Sequence, residues 1–223
     1  MGKPAKEKPK RILIVDDHPV LRKGLARLID AKPGFEICGE AGDATEAIQL
    51  IEQLRPDLIV VDLVLPGESG ITLTKKIRTD YPKMPVLVLS MHEESAYAAR
   101  ALRAGASGYI VKQDAIDNIV SALGDVLEGK RYLSPAIAKT FFSKKTGNGE
   151  IDDSDPTSVL SDRELEILQL IGKGEEVRDI AAKLRLSPKT VETHRTHIKE
   201  KLNLKNARQV ARFAIQWLER GEP

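Results

Sequence analysis

The sequence predicts an α/β domain with a doubly wound, five-stranded parallel sheet, followed by a small all-α domain. Over the first 130 residues, five short apolar runs alternate with five amphipathic segments of helical period. Three of these runs, ILIV, LIVV and VLVL, consist of Val, Ile and Leu alone, which is typical of strands buried on both faces of a parallel sheet. Beyond residue 159 every periodic segment has the helical repeat, so the second domain is predicted to contain helices only.

The apolar runs are the predicted strands, at Arg11–Asp16, Phe35–Glu40, Asp57–Asp62, Pro85–Ser90 and Ser107–Lys112. Helices are predicted after them, at Val20–Asp30, Ala44–Leu54, Gly70–Tyr81, Ser95–Ala104 and Ala115–Glu128. The run from Asp43 to Glu46 has the pattern of a capping box at the start of the second helix. Five successive strand–helix units favour a doubly wound sheet.

Four helices are predicted in the second domain, from Ser161 to Gly172 and then at Val177–Leu184, Pro188–Leu202 and Asn206–Leu218. Ser161 and Glu164 form the pattern of a second capping box. The turn Arg185–Ser187 joins the second and third of these helices, and Ser187 followed by Pro188 is a typical N-cap and first helical residue. Two helices joined in this way have the pattern of a helix-turn-helix motif.

Composition divides the chain into four predicted segments. They are a disordered basic tail at residues 1–9, the α/β domain at 10–130, a linker with a short helix at 131–158, and the helical domain at 159–220. The linker contains SKKTGNGEIDDSDPTS, which is rich in Gly, Asp and Ser, as exposed linkers are. Its short helix is predicted at Pro135–Phe142.

The overall composition excludes several classes of protein. Hydrophobic residues make up 41% and charged residues 30% of the chain, as in ordinary soluble globular proteins. No apolar run approaches the roughly 18 residues that cross a bilayer, and the Lys- and Pro-rich N-terminus lacks the apolar core of a secretion signal. The single cysteine, Cys38, excludes a disulfide framework. We therefore expect a cytoplasmic protein without a membrane partner.

Acidic, hydroxyl and ammonium groups stand at the predicted ends of four strands. Asp16 and Asp17 end the first strand and Asp62 the third, while Ser90 and Lys112 end the fourth and fifth. Because functional groups gather at the carboxyl ends of strands in doubly wound sheets, we expect these side chains to lie together. Three close carboxylates repel one another unless a cation neutralises them, and Mg²⁺ prefers oxygen ligands and leaves room for phosphate. The set predicts a site where an aspartate accepts a phosphoryl group.

The net charge of +2 conceals a basic segment in the helical domain. Between Arg178 and Arg212 there are ten Lys and Arg but only three Asp and Glu, so this segment carries +7 and the rest of the chain −5. A basic surface of this kind is typical of proteins that bind polyanions, although a solvated helix face has the same charge.

The predicted helix at Pro188–Leu202 has two different faces. Its apolar side chains share one face, at Val191, Ile198 and Leu202. Its polar side chains lie largely opposite, at Lys189, Glu192, Thr193 and Thr196. A helix with an apolar back and a short polar front can enter the major groove of DNA. A surface helix of an ordinary bundle has the same pattern, so the faces alone leave both interpretations open.

His194 and His197 lie three residues apart on the same predicted helix, a spacing that suggests a metal site. His194 is expected towards the apolar back of the helix, and we expect no Cys or third ligand nearby. The sequence therefore predicts no metal ion at this position.

The α/β domain resembles a bacterial two-component receiver domain over residues 10–130. The resemblance depends on ILIVDDHPVLRKGLARLI, PDLIVVDLVLPGESG, VLVLS and GASGYIVK, which occur in the order and spacing of that family. It implies a flavodoxin-like fold with Mg²⁺ as the cofactor. It also implies that Asp62 is the phosphoacceptor, that Asp17 binds the metal directly and Asp16 mainly through water, and that the carbonyl of Val64 is a backbone metal ligand.

The same resemblance implies a conformational switch. Lys112 contacts the phosphoryl group, and Ser90 moves in to hydrogen-bond it. Tyr109 then rotates inward to fill the space that Ser90 leaves. A phosphoryl group adds about −1.5 to −2 charges, which is the change that drives such a switch.

The helical domain resembles the LuxR-type helix-turn-helix domain over residues 157–220, through LSDRELEILQLIGKG and RDIAAKLRLSPKTVETHRTHIKEKL. The resemblance implies a DNA surface at Lys189, Thr190, Glu192, Thr193 and Thr196. It implies phosphate contacts at Arg195, Lys199 and Arg208. The final helix is the implied dimer contact. Val177 and Ala207 depart from the family, in which Asn and Arg are common at these positions.

A receiver joined to this second domain is similar to the NarL/FixJ subfamily of response regulators. The resemblance implies a sensor histidine kinase as phosphoryl donor, double-stranded DNA as target, a homodimer in the phosphorylated state, and RNA polymerase as a further candidate partner. It implies no enzymatic activity beyond slow loss of the protein's own phosphate.

Two other functions remain open from the residues alone. A metal-dependent phosphohydrolase would use Asp62 as a turnover nucleophile, but no substrate pocket or second acid–base residue is evident. A regulator controlled by protein contacts would not need phosphorylation, but the complete set of acidic, hydroxyl and ammonium groups favours the phosphorylated switch.

Overall fold

The structure, a computed structural model, describes residues 8–91, 95–139 and 159–221 of the chain. It divides the chain into two units, Met1–Thr140 and Phe141–Pro223. The predicted tail at residues 1–9, apart from its last two positions, and most of the predicted linker lie outside the described residues. Among the helices that the structure describes, none is both long enough and apolar enough to cross a membrane.

The first unit contains a parallel sheet in the order β2-β1-β3-β4-β5-β6. Its strands are β1 (Lys10–Val15), β2 (Phe35–Ala41), β3 (Leu58–Asp62), β4 (Val86–Ser90), β5 (Gly108–Val111) and β6 (Tyr132–Leu133). The strand order reverses between β1 and β3, as in other doubly wound sheets. The α/β fold is confirmed, and each predicted strand end is correct within one residue. The prediction of five strands missed β6, which is too short to give an apolar pattern.

Helices follow the strands, at α1 (Pro19–Asp30), α2 (Ala44–Leu54), α3 (Gly70–Asp80), α4 (Ser95–Arg103) and α5 (Lys112–Leu127). The prediction for α5 began it at Ala115, three residues too late. Val111 has extended backbone and is itself the N-cap, so β5 passes directly into the helix. Lys112 is therefore the first residue of α5 and not the last residue of the fifth strand.

Only half of the capping box predicted for α2 is formed. The carboxylate of Asp43 accepts a hydrogen bond from the N–H of Glu46, as expected. The carboxylate of Glu46 accepts its bond from the N–H of Gly42, one residue before the N-cap. The backbone donors at the start of α2 are nevertheless satisfied, which is the function of such a cap.

Aliphatic side chains from the strands and from two helices, α1 and α5, form one cluster of the core of the first unit. Ile14, Val60 and Leu89 are fully buried in the sheet, and α1 and α5 contribute Leu25 and Ile119. Complete burial of such a side chain contributes about 1.5–3 kcal/mol. The core therefore fixes the strands whose ends carry the polar groups named above.

The chain leaving α5 is bound to the sheet through β6. Tyr132 donates a backbone hydrogen bond to Ser107, and Ser134 donates one to the carbonyl of Tyr109, at 3.3 and 3.1 Å. The hydroxyl of Ser134, which is fully buried, accepts a further bond from the N–H of Val111 at 2.9 Å. A helix, α6, follows and is described over residues 135–139, within the predicted Pro135–Phe142.

The described part of the second unit is helical, with α7 (Asp162–Gly172), α8 (Val177–Leu184), α9 (Pro188–Lys201) and α10 (Ala207–Gly221). Both hydrogen bonds of the capping box between Ser161 and Glu164 are present, and Ser187 caps α9 as predicted. α10 continues three residues beyond the predicted end at Leu218.

Helices α8 and α9 form the predicted helix-turn-helix. Ile180, Val191 and Ile198 bury their side chains completely and hold the two helices in the unit's core. α7 and α10 approach so closely that a Cβ at Gly172 would lie 2.8 Å from the carbonyl oxygen of Ala214. Only glycine fits at that contact without moving backbone.

Candidate functional site

The parallel register brings the carboxyl ends of β1, β3, β4 and β5 to one edge of the sheet. In the strand register, Val15 of β1 pairs with Val61 of β3, Asp62 of β3 pairs with Leu89 of β4, and Ser90 of β4 pairs with Val111 of β5. The residues that follow or end these strands therefore meet at one place, as the sequence predicts for a doubly wound sheet. We call the group of Asp16, Asp17, Asp62 and Lys112 the acid pocket.

Lys112 joins two of the carboxylates of the acid pocket. Its ammonium nitrogen lies 2.8 Å from Asp16 Oδ2 and 2.7 Å from Asp62 Oδ2. The exposed fraction is 5% for the Lys112 side chain, 0% for Asp16 and 2% for Asp62. The charges are therefore shielded from water. In the protein interior the attraction between them is stronger than it would be at the surface.

His18, for which the sequence predicted no role, lies beside the acid pocket. Its Nδ1 lies 2.7 Å from Asp17 Oδ1, 3.2 Å from Asp16 Oδ1 and 4.0 Å from Asp62 Oδ2, with 62% of the side chain exposed. The backbone N–H of His18 donates to Asp16 Oδ1 at 2.7 Å. The sequence did contain a signal for a role of His18 in the site, because this residue directly follows the two aspartates.

Arg22 of α1 holds the backbone at the end of β1. Its guanidinium donates a hydrogen bond to the carbonyl of Asp16 at 2.6 Å and another to Glu40 at 2.9 Å. The first turns of α1 are thereby tied to the strand end that carries the aspartates.

The charges in the acid pocket are not balanced by Lys112 alone. Burial raises the pKa of the Asp62 carboxyl to about 7; the Lys112 ammonium opposes this rise and the Asp16 carboxylate adds to it. Burial alone would lower the pKa of Lys112, but the Asp62 and Asp16 carboxylates outweigh it and raise that pKa. A further cation would therefore stabilise the ionised form of Asp62.

The donors of the pocket fit a hard divalent ion. Asp16, Asp17 and Asp62 each place a carboxylate oxygen, and His18 a ring nitrogen, within 4.8 Å of one another. Mg²⁺ prefers oxygen ligands and commonly takes one or two carboxylates together with water and phosphate oxygens. The N–H of Val64 donates to Asp62 Oδ1 at 3.3 Å, so the backbone of Val64 also lies beside the pocket.

Ser90 and Tyr109 are both fully buried, at the end of β4 and in β5. Ser90 follows Leu89, the strand partner of Asp62, and so stands next to the pocket in the register. Tyr109 is the strand partner of Val88. The Tyr109 side chain, which we expected to turn inward on phosphorylation, is therefore already inside the protein in this structure.

Gly70, at the start of α3, is a second residue that the sequence analysis did not name for the site. A Cβ at this position would lie 1.9 Å from the carbonyl oxygen of Asp62, and real Cβ atoms essentially never come closer than 3.0 Å to another heavy atom. Its N–H donates to the carbonyl of Leu63 at 2.7 Å. Gly70 therefore permits the close approach of α3 to the strand end that carries Asp62.

The predicted DNA surface lies on and next to α9, and none of its eight residues is buried. Lys189, Glu192, Thr193, Thr196 and Arg208 are exposed, and Thr190, Arg195 and Lys199 are partly exposed. The hydroxyls of Thr193 and Thr196 bond to carbonyls one turn earlier, and that of Thr190 lies 2.8 Å from the capping Ser187 hydroxyl. Arg195 is paired with Glu192 at 2.9 Å.

The expectation that no third ligand lies near the two histidines of α9 is wrong. Folding of α7 against α9 brings Glu164 to them, and Glu164, His194 and His197 place one ligand atom each within 4.8 Å of one another. The sequence could not show this, because Glu164 lies thirty residues before His194.

The fold and the pocket define a class of protein, a receiver-type α/β domain linked to a helix-turn-helix domain. Residues 12–124 match the family model of the response regulator receiver domain, and residues 158–214 match that of bacterial regulatory proteins of the luxR family. The oxygen regulatory protein NreC of Staphylococcus carnosus is 39% identical over 210 residues, which are 92% of this chain and 97% of NreC.

Two solved structures of the response regulator RcsB are similar along most of the chain. RcsB of Salmonella enterica serovar Typhimurium, bound to a promoter in the presence of the phosphomimetic BeF3-, is 26% identical with a TM-score of 0.62, over 93% of this chain and 98% of RcsB. The structure of two RcsB dimers bound to two parallel DNAs is 26% identical with a TM-score of 0.59, over 92% of this chain and 98% of RcsB. The chain belongs to the two-component response regulators with a LuxR-type DNA-binding domain, and it controls transcription.

Proposed function

We propose that Asp62 accepts a phosphoryl group from a sensor histidine kinase and thereby controls dimerisation and sequence-specific DNA binding. The observation that carries this proposal is the buried contact of one ammonium group, that of Lys112, with both Asp16 and Asp62. A structural ion pair needs one carboxylate, whereas a site for a phosphoryl group needs several charges that can be rearranged around it.

In the proposed transfer, a carboxylate oxygen of Asp62 attacks the phosphorus of a phosphohistidine. The P–N bond breaks, the imidazole leaves, and an acyl phosphate forms on Asp62. Lys112 contacts Asp62 Oδ2 at 2.7 Å, and its ammonium remains within reach of the transferred phosphoryl oxygens. Asp16, Asp17, Asp62 and the Val64 carbonyl would hold Mg²⁺, which supplies positive charge to the phosphoryl group when bound.

The proposed switch passes from Ser90 to Tyr109. The hydroxyl of Ser90 hydrogen-bonds the phosphoryl group, and Tyr109 fills the space beside it. Tyr109 is fully buried, so its inward position is sterically accessible in the fold. Loss of the phosphoryl group by hydrolysis to inorganic phosphate returns Asp62 to its free carboxylate, and we expect this reaction to be slow.

The output of the switch is DNA binding by the second unit. Side chains on the exposed front of α9 reach base edges, and the basic groups contact phosphates, as in other helix-turn-helix proteins. We assign base contacts to Lys189, Thr190, Glu192, Thr193 and Thr196, and phosphate contacts to Arg195, Lys199 and Arg208. Because RcsB forms dimers on DNA, we propose a homodimer on paired half-sites, in the cytoplasm, with RNA polymerase as a further candidate partner.

The decisive experiment compares the wild type with Asp62→Asn and with Asp80→Asn, which removes an exposed carboxylate at the end of α3. A small acyl phosphate with Mg²⁺ should add one phosphoryl group to the wild type and to Asp80→Asn, but not to Asp62→Asn. Mass spectrometry measures the modification, light scattering the dimer, and gel shift the DNA affinity. Equal phosphorylation of all three, or equal dimerisation and DNA binding with and without phosphodonor, would exclude the proposal.

A further inference from the structure

Three metal-ligating side chains meet in the second unit, far in sequence from the acid pocket. Glu164 lies on α7, and His194 and His197 lie on one side of α9, three residues apart. One carboxylate oxygen and one nitrogen from each ring lie within 4.8 Å of one another. We propose that Glu164, His194 and His197 bind a divalent transition-metal ion of the Zn²⁺ class that joins α9 to α7.

The distance between His197 and Glu164 suits two ligands of one ion. His197 Nδ1 lies 3.7 Å from Glu164 Oε1, which is longer than a hydrogen bond. Two ligands at about 2.0–2.1 Å from a tetrahedral Zn²⁺ are roughly 3.4 Å apart. A shift of a few tenths of an ångström would therefore allow both atoms to bind the same ion.

The two oxygens of Glu164 have different surroundings. Oε2 accepts hydrogen bonds from the Ser161 N–H and from the Lys201 ammonium, both at 2.7 Å. Oε1 instead faces the ring of His197. The cap of α7 thus fixes the carboxylate through one oxygen and leaves the other directed at the histidines, as in metal sites whose ligands are oriented by outer hydrogen bonds.

His194 supplies a nitrogen that none of the described residues satisfies. Its Nδ1 is buried and has no hydrogen-bond partner among the described residues. The rings of His194 and His197 are perpendicular, with centroids 6.3 Å apart, so they do not stack and can direct nitrogens to a common point. Burial lowers the pKa of His194, which favours the neutral ring that binds metals.

The donor set selects the class of ion. Two imidazole nitrogens and one carboxylate suit Zn²⁺ and its neighbours, whereas Mg²⁺ strongly prefers oxygen ligands. Three protein ligands leave a fourth position for water on a tetrahedral ion. The Lys201 ammonium opposes binding, because its positive charge lies beside the Glu164 carboxylate. When the ion binds, this exposed side chain either stays near the ion or moves away into solvent.

The test uses the untagged full-length chain with Mg²⁺ in excess to fill the acid pocket. Zn²⁺ is titrated in competition with a chromogenic chelator into the wild type, His197→Gln and Glu200→Gln. Both variants replace an exposed side chain of α9 by Gln, and Glu200 belongs to neither group of metal ligands. We expect one Zn²⁺ per wild-type chain, unchanged binding by Glu200→Gln, and a loss in His197→Gln of at least the roughly 10- to 100-fold that removal of an outer ligand partner costs.

A gain-of-affinity variant and a stability measurement complete the test. Lys201→Gln removes the opposing charge and should bind Zn²⁺ more tightly than the wild type. Zn²⁺ should raise the thermal midpoint of the second unit in the wild type but not in His197→Gln, since a ligand stabilises the state that binds it. Zn²⁺ binding by His197→Gln equal to that of the wild type, or no bound Zn²⁺ in the wild type and Lys201→Gln, would overturn the proposal. Phosphorylation of Asp62 is measured without Zn²⁺ and is independent of this result.

Discussion

The hydroxyl oxygen of Ser134 accepts a hydrogen bond from the backbone N–H of Val111 at 2.9 Å, and both residues are buried. Val111 is the last residue of β5, directly before Lys112, which contacts Asp62 and Asp16. The chain that leaves the first unit is therefore hydrogen-bonded to the last residue of β5, directly before the lysine of the acid pocket. In the proposed switch, a movement of β5 around a phosphoryl group would therefore also displace Ser134.

Ser134→Ala should destabilise the first unit by about 1–3 kcal/mol, because the buried N–H of Val111 loses its acceptor. It should also reduce the effect of phosphorylation on DNA binding, while leaving phosphorylation of Asp62 intact. Urea denaturation and gel shifts with and without phosphodonor measure the two effects. Ser121→Ala, at an exposed position of α5, is the control, and an equal urea midpoint for both variants would contradict the expectation.

Gly70→Ala should damage the acid pocket, because the new Cβ would lie 1.9 Å from the carbonyl oxygen of Asp62. Relief of this overlap must move α3 or the end of β3, and overpacking of this kind costs at least about 1–3 kcal/mol. We expect a lower thermal midpoint and weaker Mg²⁺ binding. Gly24→Ala is a matched control on α1, where a Cβ meets nothing within 4 Å, and it should stabilise the helix by roughly 0.5–1 kcal/mol. Similar losses in both variants would contradict the role of Gly70.

The stability of the metal-free protein should depend on pH through Asp62. Its pKa is about 7 in the folded chain and 3.8 for an ordinary exposed Asp, so between these values the folded state retains a proton that the unfolded state has lost. Stability from this group is therefore complete below about pH 4 and is lost as the pH rises to about 7. Asp62→Asn does not titrate, so its stability relative to the wild type should increase over this interval.

Urea midpoints of the wild type and Asp62→Asn, measured in chelator from about pH 4 to 8, test this pH dependence. Saturating Mg²⁺ should reduce the difference at high pH, because the cation stabilises the ionised carboxylate. A constant difference between the two proteins across this range would show that Asp62 is not the group responsible.

DNA affinity should fall steeply as salt concentration rises, because basic side chains release counterions from the phosphates. Lys199→Ala should lower the slope of log affinity against log salt by roughly 0.9, the value for one phosphate contact. Lys130→Ala, in the first unit, should leave that slope unchanged. Fluorescence anisotropy at several salt concentrations measures both, and identical slopes for the two variants would remove Lys199 from the proposed contacts.

The sequence was sufficient where a pattern is local. Short apolar runs located β1 to β5 within one residue, and the capping residues Ser161 and Ser187 located α7 and α9. The acid pocket was also predictable, because parallel strands must place their carboxyl ends at one edge.

Features that depend on packing between distant segments were not predictable. β6 has two residues and no pattern of its own, and the importance of Ser134 and Gly70 depends on the backbone that each of them approaches. The meeting of Glu164 with His194 and His197 likewise follows from how α7 packs on α9. A single sequence contains no local signal for such contacts.

β6 also protects an edge. Its backbone pairs with β5, so the hydrogen-bonding groups on that side of β5 are not open to a neighbouring molecule. A fragment that ends at residue 130, where the apolar pattern ends, would expose these backbone groups of β5. Strands of two copies could then pair with each other. A fragment ending after residue 139 would retain β6 and α6, and should therefore stay monomeric at concentrations where the shorter one aggregates.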